Sequence, residues 1–202
     1  RAKTFSNEDA ATIKKGYTVT AFDNALKLSL VPGILSSSTD VEIVQLNEDL
    51  ETPWRLKKIS DFYQFEFKNK LAYDNHKPFY IQFDYTEEDD SYKQVFFYDK
   101  NHKSWRPLPT KDFPDENFVR SLIHLPFARI AVFSYSETLT NGKASWYAYK
   151  PGNFAASPDY PKGSILRVHN KENDKFVDIE VNDYGPDRSL FPDRVIDLEK
   201  NA

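Results

Sequence analysis

The sequence predicts an all-β chain, and three features carry that expectation. Short segments alternate apolar and polar residues with a period of two, as at Leu26, Leu28 and Leu30, at Tyr63, Phe65 and Phe67, and at Phe79, Ile81, Phe83 and Tyr85. Clusters of turn-forming residues separate them, among them Pro32-Gly33, the serines of residues 36–38 and Asp74-Asn75. Finally, 202 residues that are 40% hydrophobic and 15% aromatic are enough to bury a core in one large domain or two small ones.

Taken in order, residues 1–16 are a polar segment in which Ser6 is a candidate N-cap for a short helix ending at Gly16. Residues 17–134 read as a β-sandwich, with strands at 26–30, 41–43, 63–67, 79–85, 95–98, 105–108, 119–125 and 128–133. The polar stretch 135–142 closes on Asn141-Gly142 and marks the boundary between two β domains. Beyond it, strands are expected at 144–149, 164–170, 175–183 and 194–198, with a helix beginning at Glu199.

Composition excludes several classes of function. Without cysteine there is no disulfide and no thiolate metal site. The net charge of −4 divides into −3 for residues 1–140 and −1 for residues 141–202, so neither part has the basic surplus that nucleic acid or anionic lipid demands. No apolar run approaches the roughly 20 residues of a membrane span. The chain has no N-glycosylation sequon. The absence of Met, at position 1 as elsewhere, fits a start removed by signal processing or one lying outside the sequence. No cofactor fingerprint is present, and the histidines have no metal-ligand spacing. The acidic run of residues 87–90 lacks the glycine and spaced ligands of a calcium loop and reads as a solvated hairpin tip.

The C-terminal stretch is where residues point to chemistry. Residues 175–183 alternate like a half-buried strand, with Val177, Ile179 and Val181 on one side, and run into Asn182-Asp183-Tyr184-Gly185-Pro186. Gly185 can take a positive φ and Pro186 fixes the exit, so Asp183 is held where a rigid strand ends. An aspartate there either bonds its own turn or serves a site.

ASWYA at 144–148, FAAS at 154–157, PKGSILRVHN at 161–170, VNDYGP at 181–186 and RVIDL at 194–198 together resemble the double-psi β-barrel of the rare lipoprotein A family. That family contains septal-ring lytic transglycosylases, and the same barrel occurs in expansins. The resemblance covers residues 143–202. It implies a further strand after Ala202, so that the barrel is incomplete and its open edge is covered by later residues or by self-association. Over residues 17–134, LKLSLVPGILSSSTDVEI, KPFYIQFDY, FFYDKNHKSWRPL and RIAVFS resemble the sandwich domain of zonula occludens proteins and netrin receptors, a structural or interaction module.

The first resemblance implies that Asp183 is the single catalytic acid and base, protonating the glycosidic oxygen and then accepting a proton from the sugar's own hydroxyl. For that its pKa must rise, and Asp197, Val181 and Tyr184 are candidates to raise it. The family's assisting histidine is replaced by Ser157, which can bond a sugar or a carboxylate but cannot act as an imidazole. His169, on a strand with Arg167, is the nearest histidine in sequence and reads as an exposed strand residue. Trp146, Tyr147 and Tyr184 offer rings for sugar stacking, and alternation buries only one of Trp146 and Tyr147. Asp183 is expected on the floor of an open groove with Ser157, Trp146, Tyr147, Tyr184 and Asp197 as substrate-binding residues. Arg194 and Asp197, three apart on a strand, face opposite ways, which suits a structural role for Arg194.

Three readings follow. The first is an exported cell-envelope protein cutting peptidoglycan. The second is an expansin-like module binding peptidoglycan or another cell-wall polysaccharide. The third is a structural or adhesive surface protein.

Overall fold

The computed structural model describes residues 1–6, 9–48, 50–53, 55–86, 90–135, 137 and 139–202. The protein is all-β, and its chain divides into two compact units, Arg1–Ser136 and Glu137–Ala202. The acidic run of residues 87–90 falls largely outside the described residues.

The first unit contains two sheets. One is ordered β1 (Ala2–Phe5), β4 (Val41–Leu46), β6 (Phe62–Phe67), β12 (Phe127–Ser134), β8 (Lys93–Asp99) and β9 (Ser104–Pro107), with β5 (Lys57–Lys58) also pairing β12. The other is ordered β10 (Thr110–Phe113), β11 (Phe118–Ile123), β7 (Phe79–Asp84), β3 (Leu26–Leu30) and β2 (Tyr17–Ala21). Alternation explains how they meet. Leu26, Leu28 and Leu30 of β3 and Phe79, Ile81 and Phe83 of β7 are buried, as are Phe65 and Phe67 of β6, and all belong to one core. Rings cross between the sheets: Phe65 packs edge-on to Phe79 at 5.6 Å and Tyr63 lies 5.8 Å from Phe83.

Three parts of this unit depart from the sequence reading. Residues 2–5, within the polar segment, form a strand, β1, that the sequence does not mark, pairing β4 from Ala2↔Val44 to Phe5↔Val41. The helix α1 (Ala10–Lys15) is capped by Asp9, not Ser6, because the Asp9 carboxylate accepts from the Ala11 N–H at 2.9 Å and the Thr12 hydroxyl at 2.6 Å. It ends at Gly16, as expected, with φ 78°. Strand β10 was not visible in the sequence because its inward positions are polar. Thr110 and Asp112 are buried, and their oxygens accept from the Val95 N–H, the Lys93 N–H and the Tyr85 hydroxyl.

The second unit is a single mixed sheet ordered β13 (Lys143–Tyr147), β17 (Arg194–Glu199), β14 (Phe154–Ala156), β16 (Lys175–Asp183) and β15 (Ile165–Asn170). Pairs β13/β17 and β14/β16 are parallel, and β14/β17 and β15/β16 antiparallel. Its core is small: Ala155, Ile179, Val181 and Ile196 are buried, with Leu166, Val168, Val177 and Leu198 packed against them. On β15/β16, Arg167 donates to both oxygens of Asp178 at 2.7 and 2.8 Å and covers the Phe176 ring at 4.1 Å, holding that hairpin in register.

Strand β14 was not expected, since Phe-Ala-Ala has no apolar alternation, yet it lies between β17 and β16 in the middle of the sheet. No helix begins at Glu199. Instead β17 continues through it, and the Glu199 carboxylate captures the Asn201 N–H at 2.8 Å in a closing turn. Strands β13 and β15 stand at the two ends of the sheet.

Candidate functional site

Register assembles the site. Ala156 of β14 pairs with Asp197 of β17 on one side and Asp183 of β16 on the other, and Ser145 of β13 pairs with Asp197. Ser145, Asp197, Ala156 and Asp183 therefore form one row across four strands, and paired residues of a sheet share a face. The next row, Trp146, Leu198, Ala155 and Val181, belongs to the opposite face, where Leu198, Ala155 and Val181 enter the core.

Two bulges make this possible. Between Ala155 and Ala156 the register with β16 slips, so Val181 and Asp183 pair with consecutive residues and Asn182 is the extra one. Without that slip, alternation would send Asp183 to the core face with Val181; with it, Asp183 joins Ala156. A second slip between Lys143 and Ala144 makes Val195 the extra residue of β17. It interrupts the count that placed Arg194 and Asp197 on opposite faces, and the Arg194 charge acts on Asp197. Gly142 allows this approach, because a Cβ there would stand 2.5 Å from a methyl of Val195.

Asp197 is half-buried. The Ser145 hydroxyl donates to its Oδ1. A Cβ on Gly185 would stand 3.2 Å from its Oδ2 and 3.4 Å from the Ala156 Cβ, so the chain leaving Asp183 folds back onto this carboxyl. Burial pushes the Asp197 pKa upward, with Arg194 opposing. Gly185 has φ 154°, a backbone region that is nearly glycine-only. Gly185→Ala is expected to cost about 1–2 kcal/mol in thermal unfolding through that backbone and the contact with Asp197. No change in melting temperature would show that the loop yields freely.

Asp183 has the opposite environment. It stands on the surface rather than on a groove floor, with 64% of its side chain exposed. The Tyr184 backbone N–H and then Lys162, whose Nζ lies 3.2 Å from Oδ1, hold its carboxyl below the usual range. The raised pKa expected for Asp183 is thus found at Asp197, which does not perturb Asp183 upward. Lys162 also lies 4.6 Å over the Tyr184 ring, and Tyr184 is 71% exposed.

The remaining expected residues divide between those that join the row and those that do not. Tyr147, two residues after Ser145, lies on the same face. Its hydroxyl donates to Asn182 at 3.0 Å, and burial followed by the charges of Asp183, Glu199 and Asp197 raises its pKa. Trp146 is 68% exposed but on the other side of β13, where Lys200 lies 5.5 Å over its ring. Ser157 is close to Asp183 only through its backbone, its N–H donating to the Asp183 carbonyl at 3.1 Å. Its side chain is 1% exposed and accepts from the Asp159 N–H, so it braces a loop. His169 pairs with Phe176, seven residues along β16 from Asp183, or roughly 23 Å at about 3.3 Å per residue. It cannot assist that carboxylate.

Arg194 stacks on the Phe191 ring at 3.9 Å, and its carbonyl accepts from Arg188, which forks onto Asp159 at 2.8 and 2.5 Å. Ser145, Lys162 and Asn182 were not picked out by sequence reasoning. Each sits inside or beside a motif, but only the register shows which carboxylate it serves.

Among the described residues, no group of three His, Cys, Asp or Glu side chains is placed to hold a metal ion, and no helix is long and apolar enough to cross a membrane. No family model matches the chain, and no curated protein matches it by sequence.

Proposed function

We propose that this is an exported cell-envelope protein whose second unit cuts the glycan strands of peptidoglycan, with Asp197 giving a proton to the glycosidic oxygen and Asp183 serving as the ionised carboxylate. The observation that carries the reading is the row of Ser145, Asp197, Ala156 and Asp183, in which two carboxyls on one face have environments that drive their acidities apart. A general acid must keep its proton near neutral pH, and a half-buried carboxyl does so better than an exposed one beside a lysine. The single-carboxyl scheme implied by the family resemblance loads both proton transfers on Asp183, an exposed carboxyl whose pKa is lowered.

On this reading the second unit is the incomplete double-psi barrel, which its two parallel pairings within one short-stranded sheet suit. The first unit is the sandwich-type module that presents it. Exposed Trp146, Tyr149 and Tyr184 offer rings for a polysaccharide. They also favour a second reading, an expansin-like module that binds wall polysaccharide without cutting it, and the buried Ser157 in place of a histidine points the same way.

Incubation of the full chain with purified insoluble peptidoglycan separates the two. Cleavage predicts sedimentation with the polymer and release of soluble fragments, with Asp183→Asn lowering release at least about 100-fold while sedimentation persists. Sedimentation without release is the outcome for binding alone. A wild type that does neither removes both readings.

A further inference from the structure

We infer that the outer face of the second sheet of the first unit binds an acidic polysaccharide, a chain of sugars that carry carboxylates. The first unit then has a polymer ligand of its own, whatever the second unit does.

Register lays this face out in rows. In β10, β11, β7, β3 and β2 the buried residues alternate with others that point outward, away from the core between the sheets. Lys111, Arg120, Gln82, Lys27 and Thr20 pair in turn across all five strands. Beside them run Leu122, Tyr80, Ser29 and Thr18, also paired in turn, with Leu122 and Tyr80 exposed. On the other side of the cation row, Phe113 and Phe118 stack with their centroids 4.4 Å apart.

Charge singles the face out. Of its three cations, Lys27 donates to one oxygen of Asp84 at 2.7 Å, and Gln82 donates to the other at 3.0 Å, so the carboxylate within the rows is occupied. Lys111 and Arg120 are exposed, and neither has an ion-pair partner among the described residues. They rest on rings instead, Lys111 at 4.8 Å from Phe113 and Arg120 at 5.6 and 5.3 Å from Phe113 and Phe118. Asp115 and Glu116, exposed on the turn joining β10 to β11, bound the patch at that end. The other sheet is different on its outer side. There Lys68 pairs with Glu42 and Glu66, Arg129 pairs with Glu48, and Leu50 and Leu56 pack on the cluster of Phe62, Phe96 and Trp105. One outer face is thus neutralised and covered, while the other is open and cationic in a chain of net charge −4.

The side chains of the open face select its ligand. Arg120, steadied by a bond of 3.1 Å to Gln82, can fork onto a carboxylate, and Lys111 on the next strand adds a second charge. Tyr80 offers a ring to the C–H side of a sugar, and the hydroxyls of Tyr80, Ser29 and Thr18 stand in one row to meet sugar hydroxyls. Nucleic acid or an anionic membrane demands a longer run of cations than this. A neutral glycan would leave Lys111 and Arg120 unanswered.

Affinity electrophoresis of the full chain in native gels tests the assignment. Polygalacturonate, with a carboxylate on every sugar, is expected to retard the wild type, and neutral dextran is not. Arg120→Glu and Lys111→Glu should each weaken binding at least about 10-fold, and Tyr80→Ala, which leaves the charge unchanged, at least about 3-fold. Lys171→Glu, the same change of charge at an exposed position of the second unit, should leave binding unchanged. A wild type that polygalacturonate does not retard would overturn the inference. An equal loss on Lys171→Glu would overturn it too, because net charge alone would then explain the binding. Binding that Tyr80→Ala leaves intact would show a patch for anions in general rather than a polysaccharide site. Sedimentation with peptidoglycan and release from it are separate readouts, so any of these failures leaves the function proposed for the second unit standing.

Discussion

Asp197→Asn is expected to abolish strand cleavage, by at least about 100-fold, while leaving the protein at least as stable as the wild type at neutral pH. The amide keeps an oxygen to accept from the Ser145 hydroxyl, so the hydrogen bond that orients the side chain survives. What it loses is the acidic proton. The stability prediction follows from the direction of the shift. Burial raises the folded-state pKa of Asp197 above its ordinary value of 3.8, so the folded protein binds this proton more tightly than the unfolded chain does. The carboxyl therefore costs no stability below the ordinary value, costs progressively more as pH climbs to the raised value, and carries its full penalty above it. The melting temperature of Asp197→Asn relative to wild type should accordingly be level in acid and higher near pH 7. A lower melting temperature near pH 7 would mean that the ionised form is held by a stabilising partner, and Asp197 would then be unfit as proton donor.

The largest effect on stability is expected in the first unit, at Phe65. This ring is completely buried, packs edge-on to Phe67 and Phe79 at 6.2 and 5.6 Å, and joins the two sheets. Phe65→Ala should destabilise the unit by about 3–5 kcal/mol, combining lost burial with the cavity left behind. Phe127 begins the neighbouring strand β12 but is 45% exposed, so Phe127→Ala should cost less than about 1 kcal/mol. Urea unfolding followed by near-ultraviolet circular dichroism measures both. Equal losses would mean that the facing of β6 and β12 has been misjudged.

Most strands were legible because their inward residues are apolar at every second position, as in β3, β6 and β7. Two of those that were not legible, β10 and β14, share a cause. In β10 the buried positions are Thr110 and Asp112, which are tolerated inside only because Tyr85 and backbone N–H groups of β8 reach them. In β14 the buried residues are alanines, too small to mark a period. The turn after Asp183 was legible from Tyr184-Gly185-Pro186, and Asp197 was recognisable as part of a motif. Their relative roles were not.

The sequence by itself determined the all-β class and singled out part of the set that the sheet brings together, Asp183, Asp197 and Tyr147 but not Ser145, Lys162 or Asn182, since alternation and turn chemistry are local and each residue carries its own signal. Only the tertiary structure decided how that set is used. Pairing to β14 puts Asp183 and Asp197 in one row, and the bulges at Asn182 and Val195 choose the faces on which Asp183 and Arg194 emerge. Acidity follows from the same pairing, because a carboxyl's pKa depends on what other strands bring to it: Ser145 and the Gly185 backbone around Asp197, open solvent and Lys162 around Asp183. No local pattern encodes contacts between residues fifty positions apart, and a slip of one residue in a strand reverses its faces.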